Sequence, residues 1–526
     1  MLVALDSLET GGDRPCDLAI VGGGAAGLGL ALGLAGSGLE IVLAEAGEEA
    51  FDPWHQSFCA GSSIGDLSLD PETTRLRQLG GSTNHWGGRS RPLDAEALAA
   101  RPWLGLPAWP LEAGELRRHL AAACRLLEID RPPDEPWDAP ADSDAAAQAL
   151  GGPTLTPAVW RFSPPTRMGE RWRTELAARA DLTLLLDADL VDIELAPSLD
   201  RIQWLDLRSR PGKTLRLRPK VTVLAMGGIE NARLLLACRR QLAAGIGNRH
   251  DQVGRHFMGH PIFEPLQLSL AEGARLPELL HDRDTPAHGH IEGLLHLNRA
   301  GQEALEATAV DAAFYSDGQF GPPGFRAARR LQRKLGHGQL DASLIRDGGE
   351  MLGDLPGLVH ESLVKLGWLA PEAGRLTVST LIEQCPDPAS RITLDQAVDA
   401  FGRPRARVDW RLGEADRQTV RRFARHLADH VAARGLGRPL LAPWVTDETL
   451  PFPPHGNSAH HMGATRMSHS PRTGVVDPDC RVHGMTDLYI AGSSVFPTSG
   501  SQHPTLNLVM LTLRLAEHLT RRLGHA

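Results

Sequence analysis

Three observations predict a mixed α/β fold, α+β over the whole chain. The segment Asp17–Gly22 is an apolar strand that runs directly into the glycine turn Gly22–Gly27, a helical stretch and a second strand. A strand-rich stretch at 181–225 ends in another glycine pair and a helix. Three further strand patterns between 376 and 410 are joined by turn chemistry, Pro-Asp-Pro and then Asp-Ala-Phe-Gly, as antiparallel hairpins require. A parallel, Rossmann-like unit and a second, largely antiparallel sheet are therefore expected in one chain.

The elements follow from hydrophobic periodicity and its punctuation. Helical spacing runs from Leu28 to about Gly38, and Leu39–Ala44 is the next strand, ending at Glu45. Residues 48–95 read as loop around a second glycine cluster, and 96–180 as Pro-, Ala- and Trp-rich chain with helical pieces such as Glu112–Leu127. Strands are predicted at Leu182–Leu186, Leu190–Leu195, Ile202–Arg208, Leu215–Arg218 and Val221–Ala225, with a helix from Gly227-Gly228 through Leu236. Residues 262–370 show little pattern beyond a basic helical stretch at Arg326–Lys334 and acidic patches around Asp341–Asp354. Leu376–Glu383, Arg391–Leu394 and Arg405–Trp410 are strands, Glu414–Arg434 a helix, Leu488–Ala491 a strand and Leu506–Leu523 a closing helix.

Composition removes several classes of function. At 526 residues the length prior is three or four domains of about 150 residues each. Sixty-four acidic against 55 basic side chains, a net charge of −9, disfavour a nucleic-acid binder, which would carry a basic face. No apolar run approaches the roughly 18 residues of a spanning helix. The N-terminal residues carry acids and a glycine pair where an export signal would carry a basic start and an apolar run, so cytoplasmic residence is expected. Six cysteines without CxxC or CxxCH spacing indicate no disulfide frame, metal site or attached haem. Arg326–Lys334 reads as a solvated helix face, without membrane contact.

The first chemical motif is Gly22-x-Gly24-x-x-Gly27 with Glu45, 18 residues beyond Gly27. Bare glycines let the backbone approach a pyrophosphate seated on the helix N-terminus, and an acid at the end of the next strand can accept hydrogen bonds from ribose hydroxyls. Strand, turn, helix and acid are all in place, which makes this a dinucleotide site.

Further motifs specify the dinucleotide. Gly80–Gly88 is a glycine-rich loop enclosing His85 and Trp86. His460-His-Met-Gly463, Asp477–Gly484, Leu488–Thr498 and Gly500–Thr505 follow near the C-terminus. At these residues, and at Val223–Leu236, Asp251–Pro261 and Glu383–Trp410, the sequence resembles the glucose–methanol–choline (GMC) family of flavoprotein oxidoreductases. The likeness is closest to the branch of pyranose 2-oxidase and the bacterial sugar dehydrogenases. It covers most of the chain outside 96–180 and 262–370.

The resemblance implies that FAD is the cofactor. Gly22, Gly24, Gly27 and Glu45 would hold its adenosine half, with a backbone contact from Leu190, and Ala225 belongs to the same cofactor-binding set. Gly80, Gly81, Ser82, Thr83 and Asn84 would line pyrophosphate and flavin, and Ala491, Gly492, Ser493, Pro504 and Thr505 would close over the ring. His85 stands where some members bond the flavin covalently; it would either form that bond or stack beside the ring without one. An FAD-binding domain is implied from 1–95, 181–261 and 455–526, and a substrate-binding domain from 96–180 and 262–454.

The family's catalytic pair falls on His460 and His503, the second position being Asn in many members. Imidazole chemistry agrees with those positions: one ring titrating near neutrality can accept a hydroxyl proton, and a second can hold the developing alkoxide. His461 is expected to point elsewhere, His256 and His260 to form a packed turn, and only one of Glu383 and Gln384 to reach the substrate pocket, since neighbours on a strand face opposite sides. The reaction implied is oxidation of a small-molecule alcohol, sugar- or polyol-like, with oxygen or a quinone or electron carrier as acceptor. Alternatives are oxidation of a hydroxymethyl group on a cationic substrate such as an aminoglycoside, non-redox hydroxynitrile-lyase chemistry on the same scaffold, and flavin binding without catalysis. Flavin bleaching by an alcohol under nitrogen separates the redox readings from the others.

Overall fold

The computed structural model describes residues 1–8, 12–67, 69–130, 150–272, 280, 282–285, 289–315, 324–325, 327–328, 331–332, 343–365, 375–452 and 456–524. Among them, one sheet of eight strands runs in the order Leu2–Ala4, Leu182–Leu186, Ile41–Ala44, Asp13–Val21, Thr214–Leu224, Ile202–Arg208, Asp189–Leu195, and Leu488–Ile490 also pairs with Thr214–Leu224. Asp13–Val21 is parallel to both of its neighbours. Leu18, Ile20, Val42 and Leu43 are fully buried, as strands of a parallel sheet covered on both faces must be. The helix Ala25–Gly33 follows the glycine turn, and the closing helix Pro504–Leu523 packs along it.

The strands predicted at Leu215–Arg218 and Val221–Ala225 are one continuous strand. Pro219 lies between the stretch paired with Ile202–Arg208, which ends at Leu217, and the stretch paired with Leu488–Ile490, which begins at Thr222. That edge has no partner there, so the missing N–H costs no ladder bond.

A second sheet, nine-stranded among the described residues, is antiparallel throughout: Gly437–Leu441, Pro261–Leu270, Arg375–Ile382, Val310–Tyr315, Gly289–Leu297, Leu155–Phe162, Arg89–Ser90, with Asp282–Thr285 and Gly456–Asn457 beside it. One face packs into the main core through Phe263, Leu295, Ala312 and Val378. The other carries a separate apolar cluster of Trp160, Ile262, Leu294, Ala313 and Leu381. Three of its main strands come from the stretch 262–370, where the sequence showed little pattern. The stretch Arg326–Lys334 lies mainly outside the described residues. The acidic patch is described from Ser343, as the helices Ser343–Gly353 and Leu355–Lys365.

The three strands expected between 376 and 410 do not form one hairpin series. Arg391–Val398 pairs with Pro404–Trp410, which pairs in turn with Gly61–Gly65, inside the stretch read as loop, to make a separate three-stranded sheet against the helix Gly227–Ala237. The chain leaves Arg375–Ile382 at Gln384, whose Oε1 accepts from Gly259 N–H (2.9 Å) and Trp410 Nε1–H (2.8 Å). Those two bonds turn the backbone away before the next strand begins.

Candidate active site

Three glycine loops meet at the N-terminus of Ala25–Gly33. Gly22 has φ +106°, and a Cβ there would lie 2.6 Å from the Ala225 carbonyl oxygen. Gly24 is the N-cap of the helix and offers no side-chain cap, leaving first-turn N–H groups available to an anion. Gly80 N–H donates to Gly23 O at 2.8 Å, and a side chain on Gly81 would meet Gly24 Cα at 3.0 Å. From the C-terminal part, Ala491 N–H donates to Leu224 O at 2.9 Å. A side chain on Gly492 would be 3.8 Å from Ala26 Cβ. Glu45 lies buried beneath the turn, its Oε2 accepting from Gly23 N–H (2.6 Å) and its Oε1 from Gly47 N–H (2.8 Å), and burial raises its pKa. A backbone-lined cradle with an uncapped helix start has the donors that a dinucleotide pyrophosphate needs, and Glu45 stands at the end of the second strand.

The second loop is held by its own side chains. Thr83 Oγ1–H donates to Gly80 O at 2.6 Å, and Asn84 Nδ2 donates to Leu79 O and Gly81 O at 2.9 and 3.0 Å. Ser82 and His85 are exposed. His85 ends the short 3-10 turn Gly81–Asn84, near enough to His461 for its charge to bear on that ring. Burial, aided by Arg75, pushes His461 down to about 3, and its Nε2 is buried without a hydrogen-bond partner among the described residues. Leu190 is buried in its strand and its carbonyl is taken by the Arg403 guanidinium.

The two predicted histidines come together across the cradle. The His460 and His503 rings are 5.0 Å apart, centroid to centroid, at 79°. His503 caps the closing helix, with Pro504 in its first turn, so the positive end of that helix faces the ring and disfavours its protonation. Its Nδ1 is buried without a hydrogen-bond partner among the described residues, and its edge meets Trp160 at 5.2 Å. Burial holds both rings well below the usual histidine range. The His503, His260 and His461 charges add to the effect on His460, and those of Arg89 and His260 to the effect on His503. Both are neutral bases at neutral pH. Arg89 lies over Trp160 and Phe162 and pairs with Glu292 at 2.8 Å, which places the apolar face of the antiparallel sheet, with one guanidinium, beside His503.

The turn holding His256 and His260 divides. His256, at φ +58°, is packed and pushed down to about 3, as the expected turn requires. His260 departs from the expectation: its Nδ1 is 2.8 Å from His460 Nδ1, and its Nε2 2.7 Å from the Gly500 carbonyl. Glu383 and Gln384 lie just past the end of the strand Arg375–Ile382, and both are fully buried with their polar side-chain atoms taken up by protein groups. Glu383 pairs with Arg101 and accepts from Gly500 N–H (3.1 Å) and Ala309 N–H (3.2 Å). Gln384 bonds Gly259, Trp410 and Arg411. They brace the site. Sequence reasoning also passed over Trp160 and Arg89, which lie in segments without a motif.

A glycine cradle beside two neutral histidines is the arrangement found, and the comparisons with known proteins give the class, a flavoprotein oxidoreductase. Residues 386–512 match the family described as GMC oxidoreductase. The chain is similar to the fructose dehydrogenase large subunit of Gluconobacter japonicus, 24% identical over 60% of this chain and 50% of that one, so it spans half the length of that relative. It is similar to 6'''-hydroxyparomomycin C oxidase of Streptomyces lividus, 24% identical over 98% of this chain and 94% of that one. Its fold is that of the crystal structure of pyridoxine 4-oxidase from Mesorbium loti, with a TM-score of 0.55 and 17% identity over 97% of this chain and 99% of that one. The family match thus falls on the C-terminal quarter of the chain, and the likeness to the oxidase of Streptomyces lividus extends over nearly all of it. Among the described residues no helix is long and apolar enough to cross a membrane.

Proposed function

We propose that this protein oxidises the CH–OH group of a sugar- or polyol-like alcohol to a carbonyl, with His460 as the base and His503 as the partner of the alkoxide. The observation carrying the reading is the pair of neutral imidazoles 5.0 Å apart at the mouth of the cradle. Gly22–Gly27, Gly80–Asn84 and Gly492–Ser493 would hold FAD, which would supply the hydride acceptor. His460 takes the hydroxyl proton, since its suppressed basicity leaves it unprotonated and ready at neutral pH. His503 donates a hydrogen bond to the substrate oxygen and stabilises the negative charge that develops there, helped by the nearby Arg89 charge. Trp160 and its apolar neighbours wall the site and exclude water, which strengthens both interactions. A covalent bond between FAD and His85 belongs to the same reading, supported by the exposed position of His85 at the end of its turn.

The likeness to 6'''-hydroxyparomomycin C oxidase over 98% of the chain favours a second substrate reading, a hydroxymethyl group on a cationic amino sugar. Anaerobic mixing of the FAD-loaded protein with neutral sugars, polyols and amino sugars, followed by admission of air, tests both. The expected result is bleaching by one class of alcohol and, on aeration, a rate that reports whether oxygen is the acceptor. Failure of every alcohol to bleach the flavin would sink the redox reading. Cleavage of a hydroxynitrile with the flavin still yellow would move the protein to lyase chemistry.

A further inference from the structure

The segments holding His260 and His460 run antiparallel past each other. Met258 N–H donates to Met462 O and Met462 N–H to Met258 O, each at 3.0 Å. Two residues outward on each side, that register sets His260 opposite His460, as a cross-strand pair. The side chains then meet nitrogen to nitrogen at 2.8 Å.

We infer that His260 is a positioning residue that fixes the ring proton of His460 on Nδ1 and so leaves Nε2 bare to take the substrate's proton. The inference rests on His460 being the base, as proposed above. A carbonyl oxygen only accepts, so the 2.7 Å contact with Gly500 O requires the hydrogen of His260 on Nε2. Burial pushes His260 down to about 4, so at neutral pH it has one ring hydrogen and its Nδ1 is a lone pair. Two lone pairs cannot face each other at 2.8 Å, so His460 Nδ1 must carry the hydrogen and donate it. Neutral His460 has a single N–H, and its Nε2, across the ring from His260, is the free base.

The anchor at the far end is rigid. Gly500 is held through its own N–H by Glu383, which pairs with buried Arg101, and the Ser458 hydroxyl donates to the His260 carbonyl at 3.2 Å. Around the two rings the charged and titratable groups are His503 and His461 beside His460, and Glu383, Asp311 and His503 beside His260. When His460 Nε2 gains the hydroxyl proton, the imidazolium keeps its Nδ1–H on His260. That bond becomes charge-assisted and strengthens, and no proton passes to His260.

Two variants of the FAD-loaded protein test this. His260→Phe keeps the ring volume and removes the acceptor, whereas His260→Asn returns an acceptor oxygen near the Nδ1 position. Stopped-flow flavin reduction by an alcohol that bleaches the wild type is followed against pH, with flavin content and Tm measured alongside. His260→Phe is expected to slow reduction about 10–100-fold, by analogy with the loss of a group that orients a metal-bound imidazole. Its acid limb should move to lower pH, because the imidazolium of His460 has lost its acceptor. His260→Asn should recover most of the rate and the wild-type limb. [15N]histidine NMR of the wild-type holoprotein reads the tautomer directly, with His460→Ala used to assign the resonance. An Nδ1–H tautomer at His460 is expected, and an Nε2–H tautomer overturns the inference even if neither variant folds. So does a His260→Phe protein with wild-type rate and limb. Reduction that persists in His460→Ala instead removes the reading of His460 as base, and is a separate outcome.

Discussion

Gly22 sits in a turn that admits no side chain, and Gly22→Ala puts a number on that restriction. Its φ of +106° is a conformation that costs an L-residue roughly 1–2 kcal/mol. The added Cβ would sit 2.6 Å from Ala225 O, 2.8 Å from Ala225 C and 3.1 Å from Met226 Cα, all backbone atoms of a central strand end that cannot rotate away. Moving them out to contact distance is overpacking, worth about 1–3 kcal/mol. The combined penalty is about 2–5 kcal/mol, a large share of the roughly 5–15 kcal/mol that holds a protein folded. Urea unfolding with and without saturating FAD, together with the ratio of bound flavin to protein, measures it. The expected variant binds little flavin and unfolds at clearly lower urea, and excess FAD only partly restores it. Gly114→Ala is the control: no heavy atom lies within 4 Å of its Cβ position, and a helical Gly→Ala change should stabilise by about 0.4–1 kcal/mol. Full flavin loading and an unchanged urea midpoint in Gly22→Ala would refute the packing argument.

Other perturbations probe separate parts of the site. Arg101→Met leaves Glu383 buried without its guanidinium and should cost about 3–5 kcal/mol in urea unfolding, along with slower flavin reduction as Gly500 loosens; a loss below about 1 kcal/mol would show the pair to be dispensable. Because burial holds His460 below the ordinary value of 6.5, the base stays unprotonated as pH falls past that point. The profile of kcat/KM should therefore be flat down through pH 6.5 and fall only further down. A half-maximum at or above about 6.5 contradicts it. Acid precipitation should leave flavin in the wild-type pellet and release it from His85→Ala, with mass spectrometry locating the modified peptide. A yellow wild-type supernatant excludes the covalent bond.

What the sequence made legible is local. The strand, glycine turn, helix and acid from Asp17 to Glu45 lie within one stretch of chain, and each is set by a steric rule that needs no partner. The helix begins at Ala25, ahead of the apolar periodicity at Leu28, because the small residues of the turn already take helical conformation. His460 and His503 were legible through their motifs, whereas their 5.0 Å approach depends on the closing helix being packed against Ala25–Gly33. His260 was not. Its partner lies 200 residues away, and the register joining them is set by a two-residue bridge with no periodic signal. Gly289–Leu297 was missed for a related reason: nearly all of it is buried, so the alternation that marks a half-exposed strand is absent. Strand alternation offered Glu383 or Gln384 to the pocket, but the strand ends at Ile382 and protein groups occupy both side chains.

The pairing of Leu488–Ile490 with Thr214–Leu224 also sets a timetable for biogenesis. At roughly 5–20 residues per second, Gly22 and Thr505 leave the ribosome roughly 25–100 s apart. For the later part of that interval, from the synthesis of Leu224 to that of Ile490, the upper half of Thr214–Leu224 has an open strand edge. That edge is a template for wrong pairing until the last strand arrives, so the exposure lies late in synthesis rather than at its start.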